Sequence, residues 1–410
     1  MVVRRKIQVA ILMFMVVLLL CGCSRFIAEN NFEKGNHKKY PMGPLEPEFH
    51  EIKDRVVPRS LGADGRIYAS TAGEKGSIAR IIRWSGPYDP KKIESGFDFS
   101  KKIPNYSVRY VTKTQAGYVV IASCSDKVSG KILFSPSFED GFSLVQKTGP
   151  IHKMGIHFFH GTLQAKSIGL AAEYTLNPGG KTHILWKTED GGETWEEVLK
   201  TESVDDQRQV HFHSVTYDPY HGIVFASQGD GRNDRLWYSS DRGGTWSYIK
   251  EFYDPQELGR FDVGKGIHQP TLMIPLPDRL LLLPDTHLPP MILSLEKDTD
   301  FTEVGSREWK LSHEYSVYDG KATGQFFATA PYAHQEGEVY FIYPDAAREK
   351  FFILGSGDNG RSWHTLYGIF NDRANMNYGI VGPDRKGYMF AFTLFSNQRY
   401  LMQARSTDWI

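Results

Sequence analysis

The stretch SSDRGGTW at residues 239–246 decides the fold, because the chain writes it three times. TEDGGETW fills residues 188–195 and SGDNGRSW residues 356–363, so each octet reads Ser/Thr-x-Asp-x-Gly-x-Thr/Ser-Trp. The residues on either side of each octet are strand-like, with HILW, RLWY and FFIL before it. An eight-residue polar insert between two such runs is a hairpin turn. Asp190, Asp241 and Asp358 can accept the turn's backbone N–H groups. Gly192, Gly243 and Gly360 supply the left-handed backbone that closes it. Trp195, Trp246 and Trp363 open the next strand with a ring large enough to bury between sheets.

Degraded copies extend the series. SFEDGFSL (137–144) puts Glu139 in the Asp place and Leu144 in the Trp place, and SLEKDTDF (294–301) keeps Ser294, Glu296 and Phe301. With Ser85 after ARIIRW and the terminal STDWI, the marks fall at 85, 137, 188, 239, 294, 356 and 406. A period near 50 residues signals a repeat array. A turn and an apolar run precede every mark: GRIYAST, GYVVIAS, GLAAEYT, GIVFASQ, RLLLLPD, EVYFIYP and GYMFAFT. Each unit is then four antiparallel strands. Seven units predict an all-β, seven-bladed β-propeller, with six blades as the alternative. The last unit stops after its third strand, RYLMQARS, while EFHEIK (48–53) precedes the first unit. That early strand is expected to complete the last blade and close the ring.

The octets resemble the Asp-box, or BNR repeat, of sialidases and other β-propellers. The resemblance covers about a quarter of the mature chain. It implies that the octet Asp and Trp residues are scaffold, on the face where third and fourth strands connect. Function is then expected on the opposite face, around the axis. Sialidases also carry three arginines for the substrate carboxylate, a Tyr–Glu nucleophile pair, an acid/base Asp and an Arg-Ile-Pro motif in the first blade. Here RVVPRSLGADGRIYA (55–69) stands in that place, with Arg55 one residue too far from Pro58 and Arg59 after it. No other part of the set matches, so sialidase activity is not expected.

The N-terminus predicts export. Arg4, Arg5 and Lys6 precede an apolar run at residues 9–20, too short to span a membrane. LCGCS (20–24) resembles a bacterial lipobox, which implies a signal peptide at 1–22 and lipidation of Cys23. Residues 23–44 read as a tether and 45–410 as the propeller. The mature protein is expected on the bacterial cell membrane or outer membrane, held there by its lipid anchor. Only Cys124 then remains, so stability must come from packing rather than a disulfide. The formal net charge of zero gives no electrostatic case for nucleic acid.

Candidate site residues gather on inner strands and the loops of the expected functional face. RQVHFHSV offers Arg208, His211 and His213, and the two imidazoles share one side of a strand. IHKMGIHFFH offers His157 and His160, three apart and therefore expected to point oppositely; GKGIHQP offers His268. Arg208, His211, His213 and His268 are the catalytic candidates. His211, His213 and His268 could ligate a divalent metal or exchange protons. The loops add Asp230, Arg232, Arg260, Asp285, His287, Arg373 and Tyr378, a rim suited to an anionic glycan because arginine forks onto carboxylates. The expected function is binding of a glycan or other polar ligand. Polysaccharide lyase or glycoside hydrolase activity is one extension, and a non-catalytic scaffold with a protein partner is the alternative.

Overall fold

The computed structural model describes residues 47–406, apart from 53–54, 73–77, 100–102, 104, 125–128, 161–166, 175–181, 203–210, 230–234, 250–269, 285–290, 297–309, 315–328, 336, 346–349, 371–373, 376–378 and 396–397. Twenty-eight strands form seven four-stranded antiparallel sheets. Six are consecutive in sequence and are blades 1 to 6, with strands lying within 55–98, 106–148, 151–202, 211–249, 270–314 and 329–370; the seventh sheet is blade 7. The seventh takes Ala374–Asn375, Tyr388–Phe395 and Gln398–Arg405 from the end of the chain and Glu48–Glu51 from its beginning. Glu48 pairs with Gln403 and Glu51 with Tyr400, and the Ile52 amide donates to the Arg399 carbonyl at 3.0 Å. The fold is the seven-bladed propeller that the repeat predicts, closed by its first strand.

Blades are held by their faces. Seven apolar clusters fill the seven seams between neighbouring blades, and all seven predicted apolar runs are second strands inside them. Second strands are flanked by sheet on both edges and packed on both faces, so they read as unbroken apolar runs instead of alternating ones.

The octets build one hydrogen-bond circuit three times. The Ser239 hydroxyl donates to Asp241 Oδ1 at 2.7 Å and accepts the Gly243 amide at 2.6 Å. Asp241 also accepts the Thr245 amide and hydroxyl, both at 2.8 Å. Those donors, the Thr245 amide first, hold its carboxyl at about 2. The other two octets repeat these bonds through Thr188, Asp190 and Thr194, and through Ser356, Asp358 and Ser362. Each Trp Nε1 returns a bond to the octet glycine carbonyl, at 3.1–3.2 Å. Trp363 is buried between blades 5 and 6, against Phe341 at 5.1 Å. Trp195 and Trp246 pack in their own seams but are only half-buried. The degraded copy departs from expectation: Leu144 is 45% exposed, and Phe138 and Phe142 fill the seam in its place. The carboxylates of the intact octets are thus spent on their own turns.

Candidate functional site

The inner strands depart from regular pairing in a way that matters for function. In blade 1 the register slips between Pro58 and Ser60, leaving Arg59 as the extra residue of a β-bulge. Blade 2 does the same at Arg109, blade 4 at His213 and blade 5 at Thr271. Blade 3 has a wider bulge, with residues 152–155 unpaired between Ile151 and Ile156. A bulge re-aims a side chain out of the ladder. Here three successive blades put a basic residue at the bulge: Arg59, Arg109 and Lys153.

These cations feel one another. Arg109 and Arg55 lower the pKa of Arg59, after the larger effect of its burial. Burial, then Arg59, Arg109 and Arg55, push the Lys153 ammonium well below its ordinary value. The influence on Lys153 thus comes from residues of blades 1 and 2. Arg55 begins its strand beside Arg399, which follows the loop between the second and third strands of blade 7. Positive charge therefore runs from the face opposite the octets down to the bulges. Arg59 Nε donates to Ser70 Oγ at 2.9 Å, and the Arg55 guanidinium lies over the Phe392 ring at 5.3 Å. Arg109 Nε is a buried donor with no hydrogen-bond partner among the described residues.

The imidazoles divide into two groups. His211 and His213 do share a side, their rings stacked at 4.8 Å. His211 is buried in the seam of blades 3 and 4, 3.7 Å from the Tyr174 ring and 6.5 Å from His183. His152 joins from the blade 3 bulge, 5.1 Å from Tyr174. Burial and the Lys153 and Arg109 charges depress it well below 6.5, which keeps it neutral.

His157 is not part of that group. It sits with His160 beside a separate cavity, and the expectation that the two point oppositely fails. The strand ends at Phe159, so its alternation does not extend to His160. His157 Nδ1 lies 3.4 Å from Thr216 Oγ1, and His160 Nε2 lies 3.0 Å from Thr112 Oγ1.

Arg208, Asp230, Arg232, Arg260, His268, Asp285, His287, Arg373, Tyr378 and Cys23 lie outside the described residues. No group of three or more His, Cys, Asp or Glu side chains could hold a metal ion among the described residues. Arg59, Arg109 and Lys153 were not singled out as site residues by sequence reasoning. The available signal was a basic residue in the middle of an otherwise apolar inner strand, as in YSVRYVTK.

No protein-family model matches the chain, and no curated protein matches it. Solved structures do. The Cps50 (Swd1) β-propeller domain of Myceliophteria thermophila superposes with a TM-score of 0.53 at 10% identity, over 89% of this chain and all of that one. YCF48 from Cyanidioschyzon merolae gives 0.51 at 12% identity, over 88% and 98%. The GH74 enzyme of Niastella koreensis gives 0.51 at 13%, over 86% of this chain but 55% of its own length. At such identities the likeness shows the propeller and nothing of the activity.

Proposed function

We propose that this chain is an exported, lipid-anchored propeller whose axial channel binds an anionic ligand, with acidic glycans as the favoured class. The observation that carries the reading is the placement of Arg59, Arg109 and Lys153 at the inner-strand bulges of three successive blades. Basic side chains converging on one stretch of the channel favour an anionic ligand over a neutral or cationic one. Arginine adds a bidentate grip on carboxylates. The charge on Arg55 and Arg399 at the strand entrances would draw anions inward. His211 and His213 are packed against Tyr174 in a seam, which favours binding over turnover. The octets support kinship with Asp-box propellers, and LCGCS at 20–24 supports lipidation of Cys23 at a bacterial membrane. The scaffold alternative gains no apolar docking face among the described residues. Among the described residues only Leu144 and Tyr220 are large exposed hydrophobics, and they belong to blades 2 and 4.

Calorimetry on the full chain in detergent tests the reading, with an oligogalacturonate against an uncharged maltooligosaccharide. The acidic ligand should bind, more weakly as salt rises. Arg109→Ala should weaken it by roughly 10- to 100-fold, the worth of one charged hydrogen bond of about 1.5–3 kcal/mol. Equal affinity for both sugars, or an unaffected variant, refutes it.

A further inference from the structure

A cavity of about 320 Å3 lies on the octet side of the bulges. Ser60, Tyr110, Met154, Ser214 and Leu272 line it, and four of them directly follow the extra residue of their strand's bulge. Met154 instead lies within the wide blade 3 bulge, next to Lys153. Its direction is fixed by the turns. The first and second strands join on the same face as the octets, as the Thr114 hydroxyl shows by donating to the Gly191 carbonyl at 2.8 Å. Tyr220, in that turn of blade 4, lines the cavity and is 45% exposed, so the opening is on the octet face.

The wall chemistry differs from that of the cation cluster. No Asp, Glu, Lys or Arg lines the cavity among the described residues. Its titratable polar groups other than tyrosines are His157 and His160. Burial lowers them to about 3 and about 4, so both are neutral at any ordinary pH. Each uses one nitrogen on a threonine hydroxyl. His157 Nε2 is buried without a hydrogen-bond partner among the described residues, whereas His160 also interacts with the Leu61 backbone. Flat rings stand beside them: Tyr110 stacks on Phe158 at 5.4 Å and 10°, and Tyr217 packs on Phe159 at 5.6 Å. Buried polar atoms in native proteins are normally satisfied. A space of this size is at the small end of ligand sites.

We propose that this cavity is a second binding site, for an uncharged ring compound that offers hydroxyl groups to His157 and His160 and an apolar face to the aromatic rings. A neutral monosaccharide or its aryl glycoside is the fitting class. The site is independent of the anion-binding reading, because none of Arg55, Arg59, Arg109 and Lys153 lines it.

The test uses the full chain in detergent with p-nitrophenyl glucoside and p-nitrophenyl glucuronide, which differ by one carboxylate. Calorimetry should show the glucoside bound, with affinity unchanged between pH 8 and 5 and unchanged by salt. His157→Phe and His160→Leu should each weaken it at least tenfold, while Arg109→Ala leaves it intact. Saturation-transfer NMR on the wild-type chain gives a readout that needs no variant: ring protons of the glucoside should be saturated from the protein. Absence of glucoside binding, or binding by both histidine variants as tight as by the wild type, overturns the second site. Glucuronide binding that disappears in Arg109→Ala while the glucoside never binds overturns it too, and leaves the anion reading standing.

Discussion

Acid should unfold this protein through its buried imidazoles. His183 is fully buried in the third strand of blade 3, and burial lowers it from 6.5 to about 4. His157 is lowered to about 3 and His160 to about 4 for the same reason. In the unfolded chain all three take up protons near pH 6.5. In the fold they do not until about pH 4 or below. Between those limits the unfolded state binds more protons, so stability is complete above pH 6.5 and falls as pH drops. Each pKa unit is about 1.4 kcal/mol, which puts roughly 3 kcal/mol on His183 alone by pH 4. All three together give a slope of about 4 kcal/mol per pH unit near pH 5. Urea midpoints followed by tryptophan fluorescence at pH 8, 7, 6 and 5 measure this. The midpoint should hold from pH 8 to 7 and fall steeply below 6. His183→Gln should remove one proton's share, about 1.4 kcal/mol per pH unit, and so separate the histidine from the carboxylates that titrate lower. A midpoint flat to pH 5, or the same slope in the variant, refutes the assignment.

Two further perturbations test the scaffold. Trp363→Ala empties a buried seam and should cost roughly 3–5 kcal/mol, while Trp246→Ala, half-buried, should cost less; equal melting temperatures for the two variants would deny the difference in packing. Gly192 and Gly222 both have positive φ, 105° and 71°, but a Cβ at Gly192 would stand 2.2 Å from Val119 Cγ2 and one at Gly222 meets nothing within 4 Å. Gly222→Ala should cost about 1–2 kcal/mol from backbone strain, and Gly192→Ala about 1–3 kcal/mol more from overpacking, as chemical denaturation will show.

The architecture was legible because it rests on local chemistry repeated at a fixed step. An Asp that caps its own turn, a Gly with positive φ and a Trp at the strand start say the same thing at residues 188, 239 and 356. The closing strand was legible because one unit was a strand short. The site was harder to read for a physical reason. A bulge is a mismatch between two strands, so Arg59 and Arg109 acquire their placement from partners and not from their own spacing. His211 illustrates the converse. Its strand and its side were readable, but Tyr174 and His183, which decide that it faces a seam, come from another blade.

The pairing of residues 48–51 with the last strand makes the order of synthesis and the order of completion opposite. The strand at 48–51 has no sheet partner until the strand at 398–405 has been made. A chain emerging N-terminus first can stack six sheets while its wheel still has a gap, and the latch shuts only when the final hairpin is out. Until then the rim of blade 7 is an open edge that a foreign strand can occupy. Afterwards a tug on the leading end is received by four residue pairs together with Phe49 and Ile52, which pack into the seams on either side of blade 7.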